Sequence, residues 1–230
     1  MDGREHQRIP YAVEVKFRTK SALLVAYSIN LSRGGLFLET DASAPEGTAV
    51  TLQFSVPDGE PVTVRGKIIW RREQSSEAGP TGIGVEFVDV DDALGTLIDR
   101  LVSEFPGISV LLLSQDSHNR STITRMIRSI FGNTEIVTVP DPQPAESPMD
   151  DTVDLIVVDV DFNTNSSIAA IEFAKGSRNI PVVALTTQME LHSRLREAGA
   201  DGVQPNPPPF AEFQRSLVRA LGKPSYVGES

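Results

Sequence analysis

The stretch DVDDALGTLIDRLVSEFPGISVLLL, residues 89–113, divides the sequence into two predicted domains. Its first part predicts one amphipathic helix, which Asp89 or Asp91 can cap and which Pro106-Gly107 ends. The apolar residues at helical spacing are Leu94, Leu97, Ile98, Leu101, Val102 and Phe105. Its last part, from Ile108, is a nearly continuous apolar run, typical of a parallel strand buried on both faces. We therefore place the domain boundary between residues 106 and 107.

The residues before this helix predict an all-β domain. Turn sequences such as APEG, PDGE and SSEAGPTG separate short alternating or β-branched runs. These runs are residues 11–18, 22–30, 35–39, 48–56, 62–72 and 82–88. Six short strands with turns between them favour a small six-stranded antiparallel barrel, with the amphipathic helix at its C-terminal end, over residues 1–106.

The residues after the boundary alternate between apolar strands and helical patterns. The predicted strands are ISVLLL, EIVTV, VDLIVVDV, PVVAL and DGVQP. This repetition predicts an α/β domain with a doubly wound, five-stranded parallel sheet over residues 107–222. The last helix is expected to turn Phe210, Phe213, Leu217 and Leu221 inward. We expect residues 223–230 to form a flexible tail.

Composition excludes several classes of function. The chain of 230 residues has a net charge of −10 and no cysteine, which excludes disulfides and thiolate metal sites and disfavours binding to DNA or an anionic membrane. No apolar run approaches the ~20 residues of a membrane-spanning helix, so we expect no membrane insertion. The charged N-terminus is no secretory signal. These features together favour a cytoplasmic protein.

Two short polar motifs flank the first predicted strands. REHQR, residues 4–8, contains Arg4 and Arg8 at Arg-x-x-x-Arg spacing, and NLSRGG, residues 30–35, contains Asn-x-Ser-x-x-Gly. Taken alone, the arginines are ordinary solvated charges and the second motif is an ordinary turn. Guanidinium groups can, however, bond bidentately to guanine edges or phosphate oxygens and stack on bases.

Both motifs together, in this order and within this strand pattern, resemble the PilZ domain family over about residues 4–104. The later stretches VRGKIIWRRE and TGIGVEFVDV also resemble that family's strands. The resemblance implies that the domain binds the bacterial second messenger cyclic di-GMP. The residues implied are Arg4, Arg8, Asn30, Ser32 and Gly35, with Arg33 and Gly34 secondary. Gly35 is expected to adopt positive φ and to let the ligand approach the backbone.

The second domain resembles the receiver domain of two-component response regulators. ISVLLLSQDS, VDLIVVDV, PVVALTT and AGADGVQPNP follow in the family's order over about residues 107–222. The resemblance implies a phosphoryl-accepting aspartate at Asp159 and a switch hydroxyl at Thr186. It also implies that the Asn206-Pro207 bond is cis.

Several positions depart from the receiver pattern. Ser114 and Gln115 stand where the family has the acidic pair that holds Mg²⁺, and only the following Asp116 is acidic. Asn206 replaces the phosphate-pairing lysine, and Val203 replaces the switch aromatic. We therefore interpret this domain as a pseudo-receiver with a degenerate phosphorylation site and no efficient phosphorylation. Mg²⁺ binding by Asp116, Asp159 and Asp161 is disfavoured.

We find no enzyme signature. His6, His118 and His192 are dispersed without metal spacing, and no phosphate-binding loop or dinucleotide motif occurs. We expect no metal site and no cofactor.

Three functions stay open. The leading hypothesis is a cyclic di-GMP effector whose pseudo-receiver is an interaction module for an unidentified protein partner, in control of bacterial motility or surface behaviour. The resemblance also allows a homodimer through the receiver-like domain. The second hypothesis is a response regulator phosphorylated at Asp159. The third is an adaptor that works without the nucleotide.

Overall fold

The computed structural model describes residues 11–30, 34–40, 44–56, 58–73, 81–89, 92–140, 149–223 and 225–229. The chain forms two compact units, one of Met1–Glu104 with Pro224–Ser230 and one of Phe105–Lys223. The division falls after Glu104, two residues before the predicted boundary. None of the helices within the described ranges is long and apolar enough to cross a membrane.

The N-terminal unit is built around a curled mixed β sheet. Its elements are β1 Tyr11–Lys16, α1 Lys20–Asn30, β2 Gly35–Glu39, β3 Ala49–Ser55, β4 Val62–Arg72, β5 Gly82–Asp89, α2 Asp92–Ser103 and β11 Ser225–Glu229. The strand order is β11-β1-β3-β4-β5-β2. All pairs are antiparallel except β1 with β3, which is parallel.

The prediction of a six-stranded antiparallel barrel is corrected in that the sheet is mixed, with β1 and β3 parallel. The edge strands β11 and β2 approach each other, but within the described residues no hydrogen-bonded pairing joins them. The connection from β1 to β3 contains a helix and β2, long enough for a parallel pair, which a tight hairpin cannot join.

The prediction of a strand at residues 22–30 was wrong, because these residues belong to the helix α1. Thr19 starts the helix, since its side-chain oxygen accepts a hydrogen bond from the backbone N–H of Ala22 at 3.1 Å. Ala22, Leu23 and Ala26 are buried, a spacing of one helical face. Alanine and leucine are good helix formers, but the run is compatible with strand or helix, and the burial of this face in the core favours the helix.

The core of the N-terminal unit lies between the inward face of the sheet and the helices. Phe54 and Ile68 come from the sheet and Leu23 and Leu94 from the helices, and all four are fully buried. The predicted apolar face of α2 is confirmed at Leu94, Leu97, Ile98 and Leu101. Val102, however, is 60% exposed, since it lies one position beyond the buried stripe.

The prediction of a flexible tail at 223–230 is corrected as well. Ser225–Glu229 form β11, which pairs antiparallel with β1 in the register Val13↔Glu229, Val15↔Tyr226 and Lys16↔Ser225. The segment has no apolar pattern of its own. It is ordered because the outer edge of β1 offers unpaired backbone groups.

The C-terminal unit is a five-stranded all-parallel sheet with helices, as predicted. Its elements are β6 Ile108–Leu113, α3 Ser117–Phe131, β7 Thr134–Val139, β8 Leu155–Asp159, α4 Thr164–Arg178, β9 Val182–Thr186, a 3₁₀ turn Met189–Leu191, α5 His192–Glu197, β10 Gly202–Pro205 and α6 Phe210–Leu221. The strand order β10-β9-β8-β6-β7 is that of a receiver-like, flavodoxin-like sheet. Every residue of β8 and β9 is buried.

The carboxyl edge of this sheet collects the polar positions singled out in the sequence. β8 ends at Asp159 and β9 at Thr186, and Asn206 follows β10. The Asn206-Pro207 bond is cis, as the resemblance implies. Phe213, Leu217 and Leu221 are buried as predicted, but Phe210 is 44% exposed because it is the first residue of α6.

Removal of residues 224–230 should expose the edge of β1. We expect the truncated protein to lose about 1–3 kcal/mol of stability, since a few backbone hydrogen bonds contribute about 1 kcal/mol each, and to associate through the free edge. Urea unfolding and sedimentation of both proteins measure these effects. Equal stability of the two proteins would contradict the pairing.

Candidate functional site

The Gly34-Gly35 turn leads into β2 and lies against β5. The backbone N–H of Phe87 donates to the carbonyl oxygen of Gly34 at 2.8 Å, and Gly35 pairs with Glu86. Gly34 has a φ of 76°, a conformation that favours glycine. Gly35 does not have positive φ, so that part of the expectation is corrected. It is required for a different reason, because a Cβ at Gly35 would lie 2.6 Å from the carbonyl oxygen of Val85.

The other predicted nucleotide-binding residues are only partly described. Asn30 is the last residue of α1, directly before the turn segment. Arg4, Arg8, Ser32 and Arg33 lie outside the described residues. The structure thus describes Asn30 and Gly35, the first and last residues of the second motif. The contacts of this motif with a ligand remain predictions.

An aromatic and cationic cluster stands on the strands beside the turn. Phe37 and Trp70 stack with ring centroids 5.2 Å apart and planes 7° from parallel. The Arg72 guanidinium carbon lies 5.3 Å from both ring centroids, a cation–π arrangement. Gly84 of β5 pairs with Phe37 on one side and Trp70 on the other, and its missing side chain leaves room for the indole. A register shift between Ile68 and Trp70 turns Trp70 outward, where it is 37% exposed.

Substitution of the two adjacent glycines should separate their roles. We expect Gly35→Ala to cost about 1–3 kcal/mol, because the new methyl group forces β2 away from β5. We expect Gly34→Ala to cost about 1 kcal/mol, because the positive φ opposes it and no atom of the described residues lies within 4 Å of the added carbon. Urea unfolding of both variants tests the order, and a larger loss at Gly34 would contradict it.

Asp159 is the centre of a hydrogen-bond network at the carboxyl edge of the parallel sheet. The carboxyl group is 4% exposed. Its Oδ2 accepts from Ser114 Oγ at 2.9 Å and from Asn119 Nδ2 at 2.7 Å. Its Oδ1 accepts from Asn206 Nδ2 at 3.0 Å and from the backbone N–H of Asp161 at 3.3 Å. Both oxygens are therefore occupied by neutral donors.

The two asparagines of this network support each other. Asn119 Nδ2 also donates to Asn206 Oδ1 at 2.9 Å, so that the amides form a chain across the site. Sequence reasoning missed Asn119. The available signal was its position in the first turn of α3, the helix that follows β6 after a short loop.

The remaining predicted residues have separate environments. Asp116 is the N-cap of α3, where its side chain accepts from the backbone N–H of Asn119 at 2.7 Å. Arg120 Nη1 donates to the carbonyl oxygens of Ser114 and Gln115 at 2.6 and 2.9 Å, which fixes the loop after β6. Val203 is buried in the apolar core.

Across the ranges that the structure describes, no group of three or more histidine, aspartate or glutamate side chains is placed to hold a metal ion.

Asn119→Ala should destabilise the C-terminal unit by about 1–3 kcal/mol, because the buried Asp159 carboxylate loses a donor and Asn206 loses its partner. Ser121→Ala on the same helix is the matched control, since that hydroxyl bonds only one turn back, to Ser117, at an exposed position. Urea unfolding of the full chain measures both. Equal stability of the two variants would show that the network adds nothing.

The chain thus consists of two compact units, each with its own candidate site. The N-terminal unit is a PilZ domain, because residues 2–104 match the family model described as PilZ domain. PilZ domains bind cyclic di-GMP as a family, and neither this family nor the receiver family is catalytic. The search of curated proteins gave no match.

Solved structures similar to the C-terminal half are response-regulator receiver domains. A protein described as pilus assembly-related from Burkholderia pseudomallei is 19% identical, with a TM-score of 0.44, covering 50% of this chain and 89% of that chain. A signal receiver domain from Colwellia psychrerythraea is 19% identical, with a TM-score of 0.43, covering 48% and 94%. A chemotaxis protein from Vibrio cholerae is 18% identical, with a TM-score of 0.41, covering 49% and 98%. The strand order, rather than these likenesses, defines the fold.

Proposed function

We propose that the protein is a cyclic di-GMP effector without enzymatic activity. The nucleotide binds the PilZ domain and changes the interactions of the protein with a protein partner, in control of bacterial motility or surface behaviour. The receiver-like unit is an unphosphorylated interaction module.

One observation carries this proposal. The PilZ match over residues 2–104 contains both complete motifs. The residues of those motifs are Arg4, Arg8, Asn30, Ser32 and Gly35. A chain with a net charge of −10 needs local cations to bind a ligand with two phosphates, and these arginines supply them.

The hydrogen bonds of Asp159 support the pseudo-receiver part of the proposal. Phosphorylation needs a free carboxylate oxygen as nucleophile and a cation to offset the charge of the phosphoryl group. Here both oxygens of Asp159 accept from Ser114, Asn119, Asn206 and a backbone N–H. The neutral Asn206 amide stands where the resemblance implies a lysine.

Isothermal titration calorimetry with cyclic di-GMP tests the nucleotide site. We expect binding in the micromolar range or tighter for the wild type, and at least a hundredfold loss, about 2.7 kcal/mol, in Arg8→Ala. The fluorescence of Trp70, the single tryptophan of the chain, gives an independent titration and reports whether the variant stays folded.

Arg125→Ala is the matched control, because Arg125 is an exposed arginine on α3 of the other unit. It should bind the nucleotide like the wild type. Retained binding in Arg8→Ala would overturn the site assignment, and absence of binding in the wild type would favour the nucleotide-independent adaptor.

Intact-mass measurement after incubation with acetyl phosphate and Mg²⁺ tests the receiver-like unit. We expect no phosphorylated species. A mass increase that Asp159→Asn abolishes would establish the phosphorylated response regulator instead.

A further inference from the structure

The carboxylate of Asp161 joins the connections that follow three neighbouring strands. Asp161 lies two residues after the end of β8. Its Oδ1 accepts from Thr186 Oγ1 at 2.8 Å, and both of its oxygens accept from the backbone N–H of Thr187, at 2.9 and 3.1 Å. Its Oδ2 accepts from Asn206 Nδ2 at 3.0 Å. A single anion thus holds the segments after β9 and β10.

The position of this anion relates it to the degenerate phosphorylation site. Asn206 Nδ2 donates to Asp159 Oδ1 and to Asp161 Oδ2, at 3.0 Å in each case, and so bridges the two carboxylates. Thr186 and residue 206 are the positions whose side chains would contact a phosphoryl group on Asp159. Instead, the Thr186 hydroxyl and the Asn206 amide both donate hydrogen bonds to Asp161.

We propose that Asp161 is an internal anion that takes the place of an external phosphoryl group and holds the segments after β9 and β10 in one fixed arrangement. This inference rests on the proposed pseudo-receiver function and adds a mechanism to it. The receiver-like unit then needs neither phosphorylation nor a metal ion to reach the state that its partner reads.

The burial of Thr186 explains why a carboxylate suits this position. Thr186 is 1% exposed, so its hydroxyl has little access to water, and without Asp161 the hydroxyl proton would lose its acceptor. Hydrogen bonds to an ionised acceptor are stronger than those between neutral groups. Thr186 Oγ1 also accepts from the backbone N–H of Gln188 at 3.1 Å, which extends the constraint into the turn before Met189.

Hydrogen exchange of the full-length protein, followed by mass spectrometry, tests this role. The reporting amides are those of Thr187 and Gln188, since both hydrogen bonds belong to the network. We expect Asp161→Ala to accelerate their exchange by about tenfold or more, and sodium formate, compared with equal sodium chloride, to restore part of the protection. Asp151→Ala, an exposed aspartate with one surface ion pair, is the control and should change nothing at these amides.

Asp161→Asn keeps the size of the side chain and serves if the alanine variant does not fold. We expect a smaller acceleration, because one acceptor oxygen remains but the charge is lost. Unchanged exchange at Thr187 and Gln188 in the folded variants would overturn the inference.

A second arm uses the wild type with acetyl phosphate and Mg²⁺. We expect no change in protection at the same amides, and increased protection would overturn the internal-anion role. Intact mass from the same samples reports phosphorylation of Asp159, so failure of the pseudo-receiver function is recognised separately. Calorimetry with cyclic di-GMP reports the nucleotide site independently of both.

Discussion

The buried carboxylate of Asp159 is the constraint on which the C-terminal unit depends. A charge removed from water must be compensated by hydrogen bonds or by an opposite charge. This chain compensates it with a serine hydroxyl, two asparagine amides and a backbone N–H. Because these donors come from different segments, the compensation of one charge also fixes the edge of the sheet.

The main constraint on the N-terminal unit is steric rather than electrostatic. Backbone approaches backbone where Gly35 lies beside the carbonyl oxygen of Val85. The stacked rings of Trp70 and Phe37 lie against Gly84 and Gly82, respectively. Glycine is needed here for the space it leaves, while positive φ is confined to Gly34. The turn motif therefore has a structural requirement of its own, which the packing of β2 against β5 imposes.

The sequence predicts those features whose cause is local. The five parallel strands follow from long apolar runs between turns, and their ends identify the carboxyl edge with Asp159 and Thr186. Three features have distant causes. α1 forms from a run compatible with strand or helix, and its burial decides between them. β11 forms because β1 offers an edge more than two hundred residues away in sequence. Asn119 gains its role from hydrogen bonds to Asp159 and Asn206, 40 and 87 residues away in sequence, which its position near the start of α3 does not reveal by itself.

The pairing of β11 with β1 makes the receiver-like unit an insertion within the N-terminal sheet. During synthesis on the ribosome, β1 is made first, while its outer neighbour emerges only after the whole parallel sheet has been translated. The nascent PilZ domain therefore carries an open edge until Ser225–Glu229 have been translated. The sheet of the first domain can therefore be completed only after the whole second domain has been translated, because β11 follows that domain in the chain.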